Sequence, residues 1–413
     1  MLSVFFSITL LELFMGGGGR LLEIGPITVR MVLFAICVVI GLLAVLYPAK
    51  RIPGMGLALC LIVVYLLIHL TSVVIGMVNG ALFQDVLKEF QQSLYWLAAP
   101  FFAAVLSSER QIERVARLAK ISGIILSVAY LLILLIGFLT RSLKVLDLLA
   151  YLFDQGELLQ RGGGLLFYKG FLYLPIAIIF FVSMRARGWL LASMIVLTAL
   201  ILTLTRGLII STSFSIIVLL VIQRRYTAVF FSMILVALAA FAVWVYLPSA
   251  NDSLVNSRVV SNQQRLDDMD YMLHYATLKT VLLGEGYGTL IDYRMNIENT
   301  FMWALWKLGI LGLAFWVMPF VLCLRYFLAI PRARSNGLAC GFLCGTVLIY
   351  TQTMTNPFLN NPIGLSFVIM SIFSLRTMAM SSAGLRVAGN GSRQSPSGSV
   401  GTYPEYVLQP TLQ

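Results

Sequence analysis

The chain of 413 residues is 60% hydrophobic and only 11% charged, against roughly 25% charged residues in soluble domains, which excludes a water-soluble globular protein and predicts an all-α polytopic membrane protein. Its formal charge of +12 does not point to nucleic acid, because the basic residues sit in short breaks between apolar runs, as orientation in a bilayer requires. Five cysteines in or beside apolar runs imply no disulfide framework, and two histidines, His69 and His274, with no Cys/His cluster at ligand spacing, imply no metal site and no cofactor.

A spanning helix needs about 20 mostly apolar residues. In chain order the candidates are 2–16, 27–48, 54–79, 91–108, 118–140, 165–184, 188–204, 207–223, 226–247, 299–328, 335–355 and 361–380, which makes about twelve transmembrane helices. The first, MLSVFFSITLLELFM, lacks a basic n-region and a small-residue cleavage pattern and is expected to remain as a span. Charge sets the orientation. With a cytoplasmic N-terminus the inner connections and the tail carry 16 of the 29 basic residues, among them Arg51, Arg110, Arg185, Arg224, Arg332 and Arg376. The alternation of basic and non-basic connections holds along the whole chain, so both termini are expected to be cytoplasmic.

Three substantial pieces then face outward: 80–91; 141–164, in which LKVLDLLAYLFDQ has the spacing of a surface helix; and a large outer, periplasmic loop, 248–298, between spans nine and ten. The glycine runs Gly16 to Gly19 and Gly162 to Gly164 read as flexible loops. Residues 1–380 form the transmembrane unit, and after Met380 the Ser/Gly/Pro-rich sequence of 381–413 predicts a disordered cytoplasmic tail.

Ionisable residues near or inside spans cost about 2.5–3.5 kcal/mol each on insertion scales and are functional candidates by default. Arg206 interrupts an otherwise apolar stretch at T-R-G, which reads as two spans joined by an outer turn; snorkelling to headgroups is the plainer alternative. In the large loop Arg258, Arg265 and Arg294 supply positive charge beside Asp267, Asp268 and Asp270, either as a binding surface or as solvated ion pairs. Glu298 and Asn299 open span ten, where a carboxylate is equally suited to cap the helix. Lys169 and Lys307 lie a turn or two inside spans six and ten, reaching either substrate or headgroups. LLGEGYGTL, from Leu282 to Leu290, has a phosphate-loop look but no strand before it, and is expected to be a compact turn returning the chain to the membrane.

The order T-R-G, outer loop with a central arginine, G-x-G-x-G, polar pair, then an apolar helix containing LGILGL resembles the O-antigen ligase and polymerase superfamily of bacterial inner-membrane proteins, over roughly residues 165–328. That resemblance implies a metal-independent glycosyltransferase acting on undecaprenyl-pyrophosphate-linked glycan donor and acceptor, in contact with membrane lipid and with a chain-length regulator as a possible partner. By position Arg206 matches the first family arginine and Arg265 the second. Where the family's ligases carry His-Asn this chain reads Glu298-Asn299, which favours a polymerase of O-antigen or exopolysaccharide over a ligase to lipid A-core.

The chemistry agrees with those roles. A departing pyrophosphate needs bidentate cationic stabilisation, which guanidinium supplies, and an acceptor hydroxyl needs a base, which a carboxylate supplies. The expectation is therefore that Arg206 and Arg265 hold pyrophosphate and Glu298 activates the acceptor in one inverting step. Arg258, Arg294, Lys169, Asn299 and Lys307 are further substrate-binding candidates. A secondary transporter or flippase of lipid-linked glycans is the competing class, and a peptidoglycan-polymerase-like site using Asp267, Asp268 or Asp270 a third.

Overall fold

A computed structural model describes residues 2–19, 23–24, 27–47, 52–140, 153–154, 156–160, 166–228, 252–291, 294 and 297–391. The ninth expected span, most of the expected surface helix in 141–164 and residues 392–413 lie outside them, as does the side chain of Arg258.

The described chain is helical, apart from two short antiparallel pairs: β1 (Glu23–Ile24) with β2 (Ile27–Thr28), and β3 (Leu158–Gln160) with β4 (Leu166–Tyr168). Among the described residues five helices are long and apolar enough to cross a membrane: α2 (Val29–Leu46), α3 (Met55–Val78), α6 (Glu109–Thr140), α12 (Thr300–Ala329) and α14 (Pro362–Gly391). Shorter apolar helices stand among them: α1 (Leu2–Met15), α7 (Tyr173–Met184), α8 (Trp189–Leu202), α9 (Arg206–Ile222) and α13 (Gly337–Gln352). Leu59, Val63, Leu67 and Val74 on α3 and Leu42 and Leu46 on α2 face outward, which is the surface a bilayer covers without cost. The first two turns and middle of α14 are enclosed on every side, so this helix forms the centre of the bundle.

The helix ends separate into two sets. At one end the start of α6 meets the start of α1, with Arg114 donating to the Ser3 carbonyl (3.0 Å). Thr377 of α14 donates to Leu106 there (2.9 Å), and the start of α13 packs on the end of α7 through Gly337 and Ser183. Arg110, Arg114, Arg185, Arg224 and Arg332 all belong to this end. The opposite end gathers the starts of α9, α12 and α14 and the ends of α1, α3 and α13.

The expected polar loop of 248–298 is ordered differently. Its described part contains a 24-residue helix, α10 (Asp252–Tyr275), and a short one, α11 (Leu278–Leu283). The high charge suggested a loop, but α10 holds no Gly or Pro and is supported by Gln263 donating to Asp267 (2.8 Å) and by Asp270 and His274, four residues apart. Asp85 to Ser93 likewise fall within a helix, α4 (Phe83–Ser93), which leads through a 3-10 turn into α5 (Ala99–Val105). At the far end of the chain α14 runs on to Gly391, past Met380.

Candidate active site

The site is built on a break in α12. Gly309 has φ 68° and ψ −167°, which interrupts the helical ladder and frees carbonyls that hydrocarbon cannot solvate. The chain supplies the missing donors. Glu285 N donates to Trp306 O (2.7 Å), Gly286 N to Lys307 O (3.1 Å) and Ser72 Oγ to the same Lys307 oxygen (3.0 Å).

These donors come from the GEGYG segment. Gly284, Gly286 and Gly288 all have positive φ (80°, 84° and 78°), and a Cβ on Gly286 would stand 2.1 Å from Gly76 N on α3. Backbone thus lies directly against backbone, which only glycine permits. Tyr287 N donates to Ser72 O (3.1 Å) and Gly288 N to the Glu89 carboxylate (2.6 Å). Every amide from Glu285 to Gly288 is therefore spent on protein, which leaves no phosphate cradle. The segment does more than return the chain to the membrane, because it wedges between α3 and the broken helix.

Lys307 is placed by the same wedge. Its ammonium pairs with Glu89 at 3.1 Å, with both side chains wholly withdrawn from solvent, and also donates to Thr289 O. Lys307, a substrate-binding candidate by sequence, is thus buried inside the bundle and engaged with Glu89. Burial pushes the Glu89 carboxyl pKa upward, and Lys307 and the Gly288 amide pull it back.

Beyond the wedge the chain makes a tight bridge between Ile291 and Arg294 and arrives at Glu298. Arg265 of α10 meets it there. Its Nε lies 2.7 Å and its Nη2 2.5 Å from Glu298 Oε2, and both side chains remain about four-tenths exposed (37% and 45%). One turn on, Asp268 is buried and pairs with Arg294, whose guanidinium also donates to Gln264 O (3.3 Å). The spacing of three residues puts Arg265 and Asp268 on one face of α10, so two ion pairs clamp this helix to the strand of chain that leads into α12. Arg294 is a clamp of the site in this arrangement.

The helix cap goes to Asn299, whose Oδ1 accepts from Phe301 N (3.0 Å) and Met302 N (3.3 Å). Glu298 is thereby released from that duty and turned toward Arg265. Around the pair lies a cavity of about 370 Å³ lined by Arg265, Asp268, Glu298, Asn299, Met302 and Met354, with apolar neighbours.

Arg206 is the exposed first residue of α9, after a turn in which Leu204 has φ 47°. Gly207 packs on the turn between α13 and α14, where a Cβ would lie 2.8 Å from Thr355 Oγ1. The same turn receives Thr300 N through Thr353 O (3.3 Å) and gives Met354 to the cavity. Arg206 and Glu298 therefore flank one turn, although Arg206 is not among the residues lining the cavity. Lys169 faces a second cavity of about 400 Å³ that shares only Ile297 with the first. Glu89, Glu157, Gln92 and Asn360, which shape these surroundings, carry no motif that a sequence alone displays.

No family model matches the chain. Over 396 residues, 92% of this chain and 96% of the other, it is 26% identical to a protein of Shigella flexneri named O-antigen polymerase. The similarity thus reaches well beyond the 165–328 segment that carries the motifs.

Proposed function

We propose that this chain, placed in the O-antigen ligase and polymerase superfamily by its similarity over nearly the full length of an O-antigen polymerase, is a membrane glycosyltransferase that polymerises lipid-linked oligosaccharide repeat units. The observation that carries the reading is the Arg265–Glu298 pair on an open cavity, since it joins the two residue types that such a reaction needs. In this reading the chain has twelve spans in a bacterial inner membrane, both termini are cytoplasmic, and the cavity opens on the periplasmic face.

The pair also suggests an order of events. At rest Arg265 neutralises Glu298. A lipid pyrophosphate, which offers more charge and bidentate geometry, takes over the guanidinium and frees the carboxylate. Glu298 then accepts the proton of the acceptor hydroxyl as its oxygen bonds to the anomeric carbon of the donor. The bond from that carbon to the phosphate oxygen breaks on the opposite side, giving inversion, and the charge on the departing pyrophosphate is held by Arg265 and Arg206. Exchange of partners keeps the base silent until a donor is bound.

A transporter is favoured by one feature, the broken helix α12, because such breaks seat ions and substrates in transporters. Here the carbonyls of Trp306 and Lys307 are already satisfied by Glu285 N, Gly286 N and Ser72 Oγ, so the break is closed to a passing ligand. The decisive experiment is complementation of a deletion strain with Arg265→Ala and Glu298→Gln. Loss of long-chain glycan at normal protein level, leaving single repeat units on lipid A-core, is expected. Wild-type chain lengths in both variants refute the reading, and bare core with long polymer retained on the carrier lipid makes it a ligase.

A further inference from the structure

The second cavity lies on the other side of the first turn of α12. Asn299 and Met302 line the Arg265–Glu298 cavity, whereas Thr300 and Trp303 line this one, and Ile297 stands between the two. Its wall combines Gln92, Glu157, Lys169, Thr300, Asn360 and Gly18. At about 400 Å³ it falls within the range of small-molecule sites, about 300–1,000 Å³.

Two of its polar groups are buried without a partner. Asn360 is 5% exposed; its Nδ2 donates to Gln92 Oε1 (3.2 Å), while its Oδ1 has none. Thr300 is 1% exposed and its Oγ1 is likewise unpaired. A buried orphan of this kind costs about 1–3 kcal/mol, so two on residues of one cavity wall leave that wall with hydrogen-bonding capacity to spare.

The charges say which guest. Glu157 and Lys169 stand opposite each other across the β3–β4 hairpin, with Lys169 N donating to Glu157 O (3.2 Å), so the wall contributes one charge of each sign and no arginine. A phosphate meets a carboxylate here and gains little. A hydroxyl, which both donates and accepts, matches the spare acceptor of Asn360, the hydroxyl of Thr300 and the amide of Gln92 alike once those side chains turn toward it. The glycine run of the first connection also finds its use. Gly18 N donates to Glu157 Oε2 (2.5 Å), and a Cβ on Gly17 would stand 2.5 Å from that oxygen, so the run lets backbone close over the carboxylate.

We propose that this cavity is a glycan subsite, binding the hydroxyls of an uncharged sugar ring of the substrate on the opposite face of the α12 N-terminus from the Arg265–Glu298 pair. It rests on the glycosyltransferase reading and gives that reading a second, pyrophosphate-free binding place.

The test uses full-length protein in detergent and, as probe, lipid-free repeat-unit oligosaccharide released by mild acid from the producing strain's surface polysaccharide, with inorganic pyrophosphate as the contrasting probe. Calorimetric titration is expected to show oligosaccharide binding that weakens about tenfold in Asn360→Ala and in Thr300→Val, the worth of one hydrogen bond, and stays unchanged in Arg265→Ala. Thermal unfolding of each variant confirms that the bundle is intact. Absence of oligosaccharide binding to the wild type, equal binding by folded Asn360→Ala and Thr300→Val, or pyrophosphate binding lost in those two variants overturns the subsite. Failure of the polymerase reading is seen separately, as long-chain glycan made normally by Arg265→Ala.

Discussion

Lys307 and Glu89, 218 positions apart in the chain, form an ion pair at 3.1 Å with neither side chain reaching solvent, and Glu89 holds Gly288 N with the same carboxylate. One pair thus ties α4, the GEGYG wedge and the broken helix together. Taking away one charge leaves the other buried alone, which costs about 3–5 kcal/mol. Lys307→Met is expected to lower the unfolding temperature in detergent sharply or to abolish folded protein. Glu89→Gln/Lys307→Met keeps an acceptor for Gly288 and removes both charges, and it should recover most of that loss. A double variant as unstable as the single one would show that the pair is not the tether.

Gly286→Ala and Gly80→Ala form a matched comparison. Both glycines have φ 84°, but a Cβ on Gly286 would sit 2.1 Å from Gly76 N, whereas Gly80 has nothing within 4 Å. Gly80→Ala should cost only the backbone strain, about 1–2 kcal/mol. Gly286→Ala must push the wedge off α3 and is expected to yield little folded protein on size-exclusion chromatography. Equal yields would mean that the close approach is not needed.

Arg206 is exposed, where a side-chain interaction is worth under about 1 kcal/mol, so Arg206→Ala should change thermal stability little while long-chain glycan falls by about 10²–10³. Arg206→Lys should restore little, because a point charge does not reproduce bidentate contact with phosphate. Chain-length distribution on gels, at matched protein level, decides it; full activity of Arg206→Lys would reduce the role to simple charge.

Glu298→Gln should lower turnover by about 10²–10⁴, the usual worth of a positioned base, without unfolding α12, since Asn299 carries the cap. Asn299→Ala is the counterpart: loss of about 1 kcal/mol of stability with turnover largely kept. Reversal of these two outcomes would exchange the roles of the neighbours.

Much of this was written plainly in the sequence. Apolar runs mark α1 to α3, α6 to α9 and α12 to α14, whereas 91–108 is the end of α4, a 3-10 turn and the short α5 rather than one span; the T-R-G interruption falls at an actual turn, between Thr203 and Arg206. What stayed hidden depends on partners far away in the chain. A lysine inside a span reads the same whether it reaches headgroups or Glu89, so Lys307 offered no sign of its pairing. Gly309 lies in LGILGL, where glycine is ordinary helix packing, and only its φ of 68° reveals the break. Charge made 252–275 look like a loop, yet the lack of Gly and Pro was the better guide. Arg265 and Glu298 stand out by residue type and by their positions in the family pattern; that they touch follows from α10 docking through Asp268 and Arg294, which spacing does not disclose.

The wedge at Gly76 also orders biosynthesis. Ser72 of α3 waits 235 residues for its partner, the Lys307 carbonyl, and the slot beside it stays vacant while the intervening helices are made. Closure over so long a contour is entropically late, so the ribosome has delivered most of the bundle before this slot is filled. The end that carries the Arg265–Glu298 pair is then the last portion of the protein to mature, and it cannot close before α12 has arrived.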